Sequence, residues 1–168
     1  MLTVSKLIVQ GKGLAPALLR RAATVELDWD TRQKSRFEAH DSLGRQLGIF
    51  LSRGTVVRGS DVLVAQDGSL IRVLAAPQAV LRITACPQHG SGLDLARAAY
   101  HLGNRHIPIE LKLDHLKIEP DHVLASMLRN MHLIVEQVSE AFEPESGAYS
   151  QQAHSHGPGL HHHHDHSH

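Results

Sequence analysis

The chain has 168 residues, enough for one ordinary domain or two small ones. Lys plus Arg and Asp plus Glu balance at 17 each, so there is no basic field to hold nucleic acid. The single cysteine, Cys86, excludes an intrachain disulfide framework and a cysteine zinc knuckle.

The start, Met1 to Lys6, runs straight into a short mixed strand. It has no apolar run long enough for a signal peptide or a membrane span, so a cytoplasmic protein without membrane partners is the expectation. The imbalance lies in 15 histidines, whose protonation would make a neutral chain strongly cationic below roughly pH 6.

Residues 1–75 are predicted to form a small all-β domain, a barrel or a pair of sheets. Leu14 to Arg21 adds one short helical turn starting near Pro16. In the run Thr24 to Trp29, Val25, Leu27 and Trp29 fall on one face, the alternation of a half-buried strand. A second run through Phe37 and Ala39 meets a hairpin turn at Asp41-Ser42-Leu43-Gly44, and the return strand turns Leu47, Ile49 and Leu51 inward. Arg53-Gly54-Thr55 turns the chain again. Val62–Val64 and Leu70–Val73 flank another hairpin signal at Gln66-Asp67-Gly68-Ser69. Exposed edges of such a domain could add a partner's peptide as an extra strand, or the domain could be scaffold alone. Asp28, Asp30 and Glu38 read as solvated surface, with no catalytic grouping. Ala75-Ala76-Pro77-Gln78 marks a linker, placed at 76–79.

Residues 80–141 are predicted to form a second domain. Val80–Ala85 reads as a strand. Ser91 caps the next helix, with Asp94 closing a capping box, and Leu95, Ala98, Ala99 and Leu102 share its buried face. Gly103 or Asn104 is the expected left-handed stop. Ile107, Ile109, Leu111 and Leu113 alternate as a strand, and Leu116 and Ile118 lie on another. Pro120-Asp121 opens a second helix with Val123, Leu124, Met127, Leu128 and Met131 inward, and Leu133–Val138 closes the set. The order β-α-β-β-α-β is the ferredoxin-like split motif, so the fold class is α+β. That topology does not itself name a function. From Phe142 the periodicity ends, and residues 142–168 read as a disordered histidine-rich tail.

Neutral imidazole suits nickel, zinc, copper and cobalt. Eight of the 15 histidines fall in the tail: His154, His156, His161, His162, His163, His164, His166 and His168. They are read as ligands that collect or buffer such ions. The competing reading is an engineered purification tag. Such a tag is usually an unbroken run of six, whereas Asp165 and Ser167 interrupt this one, and His154 and His156 precede it at alternating spacing.

His106 is the candidate ordered ligand, at a corner after the first helix. Capping of that helix, or simple exposure, is the alternative. One corner histidine cannot hold a metal tightly, but two copies across a two-fold axis, joined by tail histidines, can. His122 is either a ligand or an exposed first-turn residue. His101 stands five residues before His106, misses the i, i+4 pairing, and is read as packed or supporting. His40, His89, His115 and His132 carry no constellation, and Cys86 reads as a small packed residue. Asn104 and Arg105 invite comparison with ferredoxin-like hydrolases of acyl phosphates, but no Gly-rich phosphate loop precedes the first helix.

Ala98-Ala99-Tyr100-His101-Leu102-Gly103-Asn104-Arg105-His106, followed by a strand and Asp121-His122-Val123-Leu124 with Met127-Leu128, resembles the UreE family of urease accessory proteins, nickel metallochaperones. Val25 to Arg36, Arg53-Gly54-Thr55-Val56 and Phe142-Glu143-Pro144-Glu145 before a histidine-rich tail extend the resemblance over the whole chain. It implies a homodimer with a peptide-binding-like β domain and a ferredoxin-like metal-binding domain. It further implies that His106 of each protomer meets its mate on nickel, with His122 and the tail adding ligands. The implied partners are the urease GTPase accessory protein and, through it, the urease apoprotein complex. Where many relatives stop the second helix with glycine, Asn130-Met131 stands here, and Asn130 is the expected stop. The resemblance implies a carrier and not an enzyme. The rival readings are a general zinc or copper buffer, and a peptide-binding adaptor with an incidental tail.

Overall fold

The computed structural model describes residues 1–147; the eight tail histidines lie outside the described residues. Strand β1 (Leu2–Ile8) leads through a 3-10 turn (Val9–Gly11) to helix α1 (Pro16–Arg21). Strand β2 (Ala23–Leu27), helix α2 (Trp29–Arg32), and strands β3 (Arg36–His40), β4 (Gln46–Phe50), β5 (Val62–Ala65) and β6 (Leu70–Ala75) follow. The six strands form one sheet in the order β2-β6-β5-β1-β4-β3.

The β3–β4 and β5–β6 hairpins stand as expected, but two pairings, β1 with β4 and β2 with β6, are parallel. Such long-range partners leave no local turn signal. The sheet curls: Ser42, in the β3–β4 turn, bonds both main-chain groups of Thr24 on the far-edge strand β2. Val4, Val25, Leu47, Ile49, Leu63, Ile71 and Val73 close its core.

Trp29 does not continue the strand. Asp28 accepts a bond from Thr31 N at 2.8 Å and so caps α2, which bends the chain after Leu27. The indole is nonetheless buried, so alternation gave its burial correctly and its conformation wrongly.

Strand β7 (Pro77–Thr84) begins inside the expected linker. Pro77 stands at the first position of the strand, where its missing N–H costs no ladder bond. Helix α3 (Gly92–Gly103), strands β8 (Glu110–Leu111) and β9 (Leu116–Ile118), helix α4 (His122–Asn130) and strand β10 (Ile134–Ala141) complete a sheet of order β10-β7-β9-β8. This is the ferredoxin-like arrangement, and the α+β class stands. Its core packs Leu95, Ala98 and Leu102 of α3 and Leu124, Ala125 and Leu128 of α4 on Leu81, Ile83, Leu116, Ile118 and Val135. Strand β8 is only two residues long and reverses the expected phase: Glu110 is buried while Leu111 and Leu113 are exposed, so the expected alternation ends at Ile109. Val123, expected inward on α4, is exposed.

Charged residues tie down part of the second sheet. Lys117 Nζ lies 3.2 Å from Glu110 and 3.3 Å from Glu140, and Arg82 pairs with Glu140 at 3.1 Å. Burial pushes the Glu140 carboxyl up, but bonds from Lys117 and Arg82 outweigh it and hold the group below the usual carboxylate range.

The expectation that the tail starts unpacked at residue 142 fails. Phe142 is fully buried, edge-on to Trp29 with ring centroids 6.1 Å apart. Glu143 accepts from Arg32 at 2.6 Å and from Gly59 N at 2.9 Å. The buried Arg32 also donates to the carbonyls of Leu27 and Phe142. Arg32 and Arg58 both stack on the Trp29 ring, at 5.3 and 5.1 Å, and Arg58 bonds Pro144 O and Ser146 Oγ. Residues 142–146 thus stitch the second domain to the first. Aromatic burial and a satisfied ion pair supply what periodicity could not reveal in so short a segment.

Candidate metal site at the helix ends

Because β7 runs antiparallel to β9, α3 and α4 are antiparallel too. The end of α3 therefore lies beside the start of α4, and Arg105 Nη1 reaches Met127 Sδ across the gap. His106, just past α3, and His122, the first residue of α4, share this end of the helical layer, and both are exposed.

The way α3 stops is unexpected. Gly103 is its last residue, and Asn104 keeps right-handed helical angles. The left-handed residue is His106 itself, at φ 57. His106 N donates to Gly103 O at 2.9 Å, and Ile107 N reaches back to Leu102 O at 3.2 Å. Ile107 is drawn towards the buried Leu102, which turns the chain into the next segment.

Helix α4 repeats the device. His132 is left-handed at φ 63, His132 N donates to Arg129 O, and Leu133 N to Leu128 O at 3.2 Å. The stop expected at Asn130 is therefore at His132. Glycine is the ordinary occupant of this position, and a side chain there costs about 1–2 kcal/mol. The domain thus spends stability to hold an imidazole at each corner.

His101 is exposed, against the expectation of a packed role, and lies edge-on to Tyr100 at 5.4 Å between centroids. Tyr100 and Val123 add exposed apolar surface at the His106 end. His115 is instead occupied, its Nδ1 donating to the Asp114 carboxylate at 2.8 Å. The Cys86 thiol is drawn below its usual range by main-chain N–H groups of Gln88 and His89 and by the His89 side chain. Among the described residues, no group of three His, Cys, Asp or Glu side chains converges as a metal cage. His106 and His122 lie at one end of the helical layer, exposed, at the end of α3 and the start of α4.

Two linked domains, one a curled β sheet and one ferredoxin-like with exposed imidazoles at a helix junction, describe a binding protein. Comparison with known sequences makes this specific. Residues 4–76 match the model for the N-terminal domain of the UreE urease accessory protein, and residues 78–168 match its C-terminal domain. The chain is 74% identical over 156 residues to the urease accessory protein UreE of Polaromonas naphthalenivorans strain CJ2, covering 93% of this chain and 75% of that one. It is 75% identical over 156 residues to that of Albidiferax ferrireducens, covering 93% and 90%. Against that of Verminephrobacter eiseniae the identity is 67% over 167 residues, 99% of each chain. The chain belongs to the UreE family of urease accessory proteins, and is an accessory protein and not an enzyme.

Proposed function

We propose that the chain carries nickel to the maturing urease active site, binding Ni(II) between two protomers through His106 of each, with His122 and tail histidines completing or feeding the site. The observation that carries the reading is His106. An exposed imidazole occupies a left-handed helix stop, where glycine would be cheaper, at the end of the fold that also presents His122. His132 shares that backbone strain, so what singles out His106 is its place at the end of α3 that lies towards the start of α4, where His122 stands. Tyr100 and Val123 beside it offer apolar surface for a second copy of the chain. Donors spread over a surface and shared between chains suit loading and release, whereas a catalytic metal is normally enclosed by several fixed ligands. The tail ligands of this reading are His154, His156, His161, His162, His163, His164, His166 and His168. A GTPase accessory protein and the urease apoprotein complex would receive the cargo in the cytoplasm. Zinc and copper suit the same donors, so selectivity would rest on geometry and supply.

The test is a nickel titration of protein purified without an affinity column, in wild type and His106→Gly. Loss of the tightest site, at one ion per dimer, is expected from the substitution. An unchanged isotherm removes His106 from the site, and a monomer at all working concentrations removes the shared ion.

A further inference from the structure

The N-terminal sheet ends on β3, whose outer edge is open from Arg36 to His40 and meets β2 just beyond, where Ser42 bonds Thr24. Ser35 O bonds Leu51 N, and Asp41 N bonds Arg45 O, so the odd-numbered residues face β4. By alternation the main-chain groups of Arg36, Glu38 and His40 point away from the sheet, and no hydrogen bond to them is found among the described residues. Phe37 and Ala39 are half-buried at the margin of the core. At the first residue of this edge lies a cleft of about 570 Å³, lined by Gln33, Lys34, Ser35, Arg36, Leu51, Arg53 and Gly54. Its lining holds three cations and no carboxylate. Lys34 is engaged by Asp30 at 2.6 Å, whereas Arg36 and Arg53 have no ion-pair partner among the described residues.

We infer that β3 is a docking rail for an extended acidic segment of another protein. The segment adds as an outer strand to Arg36–His40 and seats a carboxylate in the cleft, between the guanidinium groups of Arg36 and Arg53. Main-chain bonds to the open edge supply affinity, and alternate side chains meet Phe37 and Ala39 on one face. The two arginines supply charge-assisted bonds that select an acid.

A second copy of the chain fits poorly. Antiparallel self-pairing about Glu38 sets Glu38 against Glu38, like charges directly opposite. The chain's own tail is unsuitable as well: beyond residue 147 it holds one acid, Asp165, among eight histidines. This surface is separate from the histidine corner, so the inference stands or falls without the nickel reading.

The test uses the full chain in EDTA and a fluorescein-labelled decapeptide of alternating Glu and Val, with a Lys and Val peptide as control. Anisotropy should show saturable binding that weakens at least tenfold in the double variant R36E/R53E, and none for the control. Hydrogen exchange on the wild type should show new protection at the amides of Arg36, Glu38 and His40, a readout independent of whether the variant folds. Equal affinity of the variant, or protection that bypasses β3, overturns the proposal. So does β3 protection that rises with protein concentration without peptide, which would assign the edge to a second copy. Binding that appears only after residues 148–168 are removed would assign it to the tail.

Discussion

His106 and His132 are the same backbone solution at two ends of one domain, and they separate fold from function. Replacing either by glycine relieves a left-handed side chain, so each variant should gain about 1 kcal/mol. Thermal unfolding of apo-protein checks this: both midpoints should rise. Only His106→Gly is expected to lose tight nickel binding. A fall in stability for both would mean that the imidazoles themselves hold the corners.

Asp41 argues at the same scale. Burial alone pushes its carboxyl up, but N–H bonds from Arg45 and Leu43 and the Arg45 guanidinium outweigh it and hold the group below the usual range. A depressed acid lends its stability above the unfolded value near pH 4 and loses it as pH falls through the lower folded value. Asp41→Asn should therefore cost about 1.5–3 kcal/mol at pH 7. Urea midpoints should then show a smaller drop for the variant than for the wild type between pH 5 and pH 3.

At the scale of elements, what was legible in the sequence was what repeats locally. The stripe Leu95, Ala98, Leu102 and the capping pair Ser91 and Asp94 located α3, and all behave as read. Alternation located the β3–β4 and β5–β6 hairpins. It failed at two places: the Asp28 cap turns Trp29 into a helix, and β8 buries Glu110 while leaving Leu111 and Leu113 exposed. The corner that carries His106 was legible, but its mechanism was not. Gly103 and Asn104 have the composition of a stop, while the bonds from residues 106 and 107 put the left-handed turn two residues further on. The segment 142–146 was illegible because its partners, Trp29, Arg32, Arg58 and Gly59, are 84 or more residues away.

That segment is open to direct trial. Glu143→Ala leaves the buried Arg32 guanidinium without its carboxylate, a change costing about 3–5 kcal/mol. Chemical denaturation should show that loss, while Glu145→Ala, at an exposed position, should stay within about 0.5 kcal/mol of wild type. Equal effects would mean that Arg32 is satisfied by the carbonyls of Leu27 and Phe142 alone.

At the scale of the whole molecule, two domains, one clasp and one histidine-rich extension divide the work. Removing residues 148–168 leaves the clasp intact, so it should lower the number of nickel ions bound, spare one per dimer, and leave the unfolding midpoint unchanged. Loss of every ion would place the essential ligands in the extension. Bound nickel should also fall as pH drops through roughly 6.5, because each imidazole must be neutral to coordinate. Equilibrium dialysis across that range reads the effect directly.

The distance in sequence between Arg32 and Glu143, 111 positions, has a bearing on how the protein comes into being. The ribosome delivers the guanidinium 111 positions ahead of its counter-charge. Until Glu143 has been made, the first β sheet must therefore wait with a cation beside Trp29 that lacks its carboxylate. The clasp between the two halves thus closes late, and a nascent chain stalled short of Phe142 should be cut by protease between the halves more readily than one that includes Glu143.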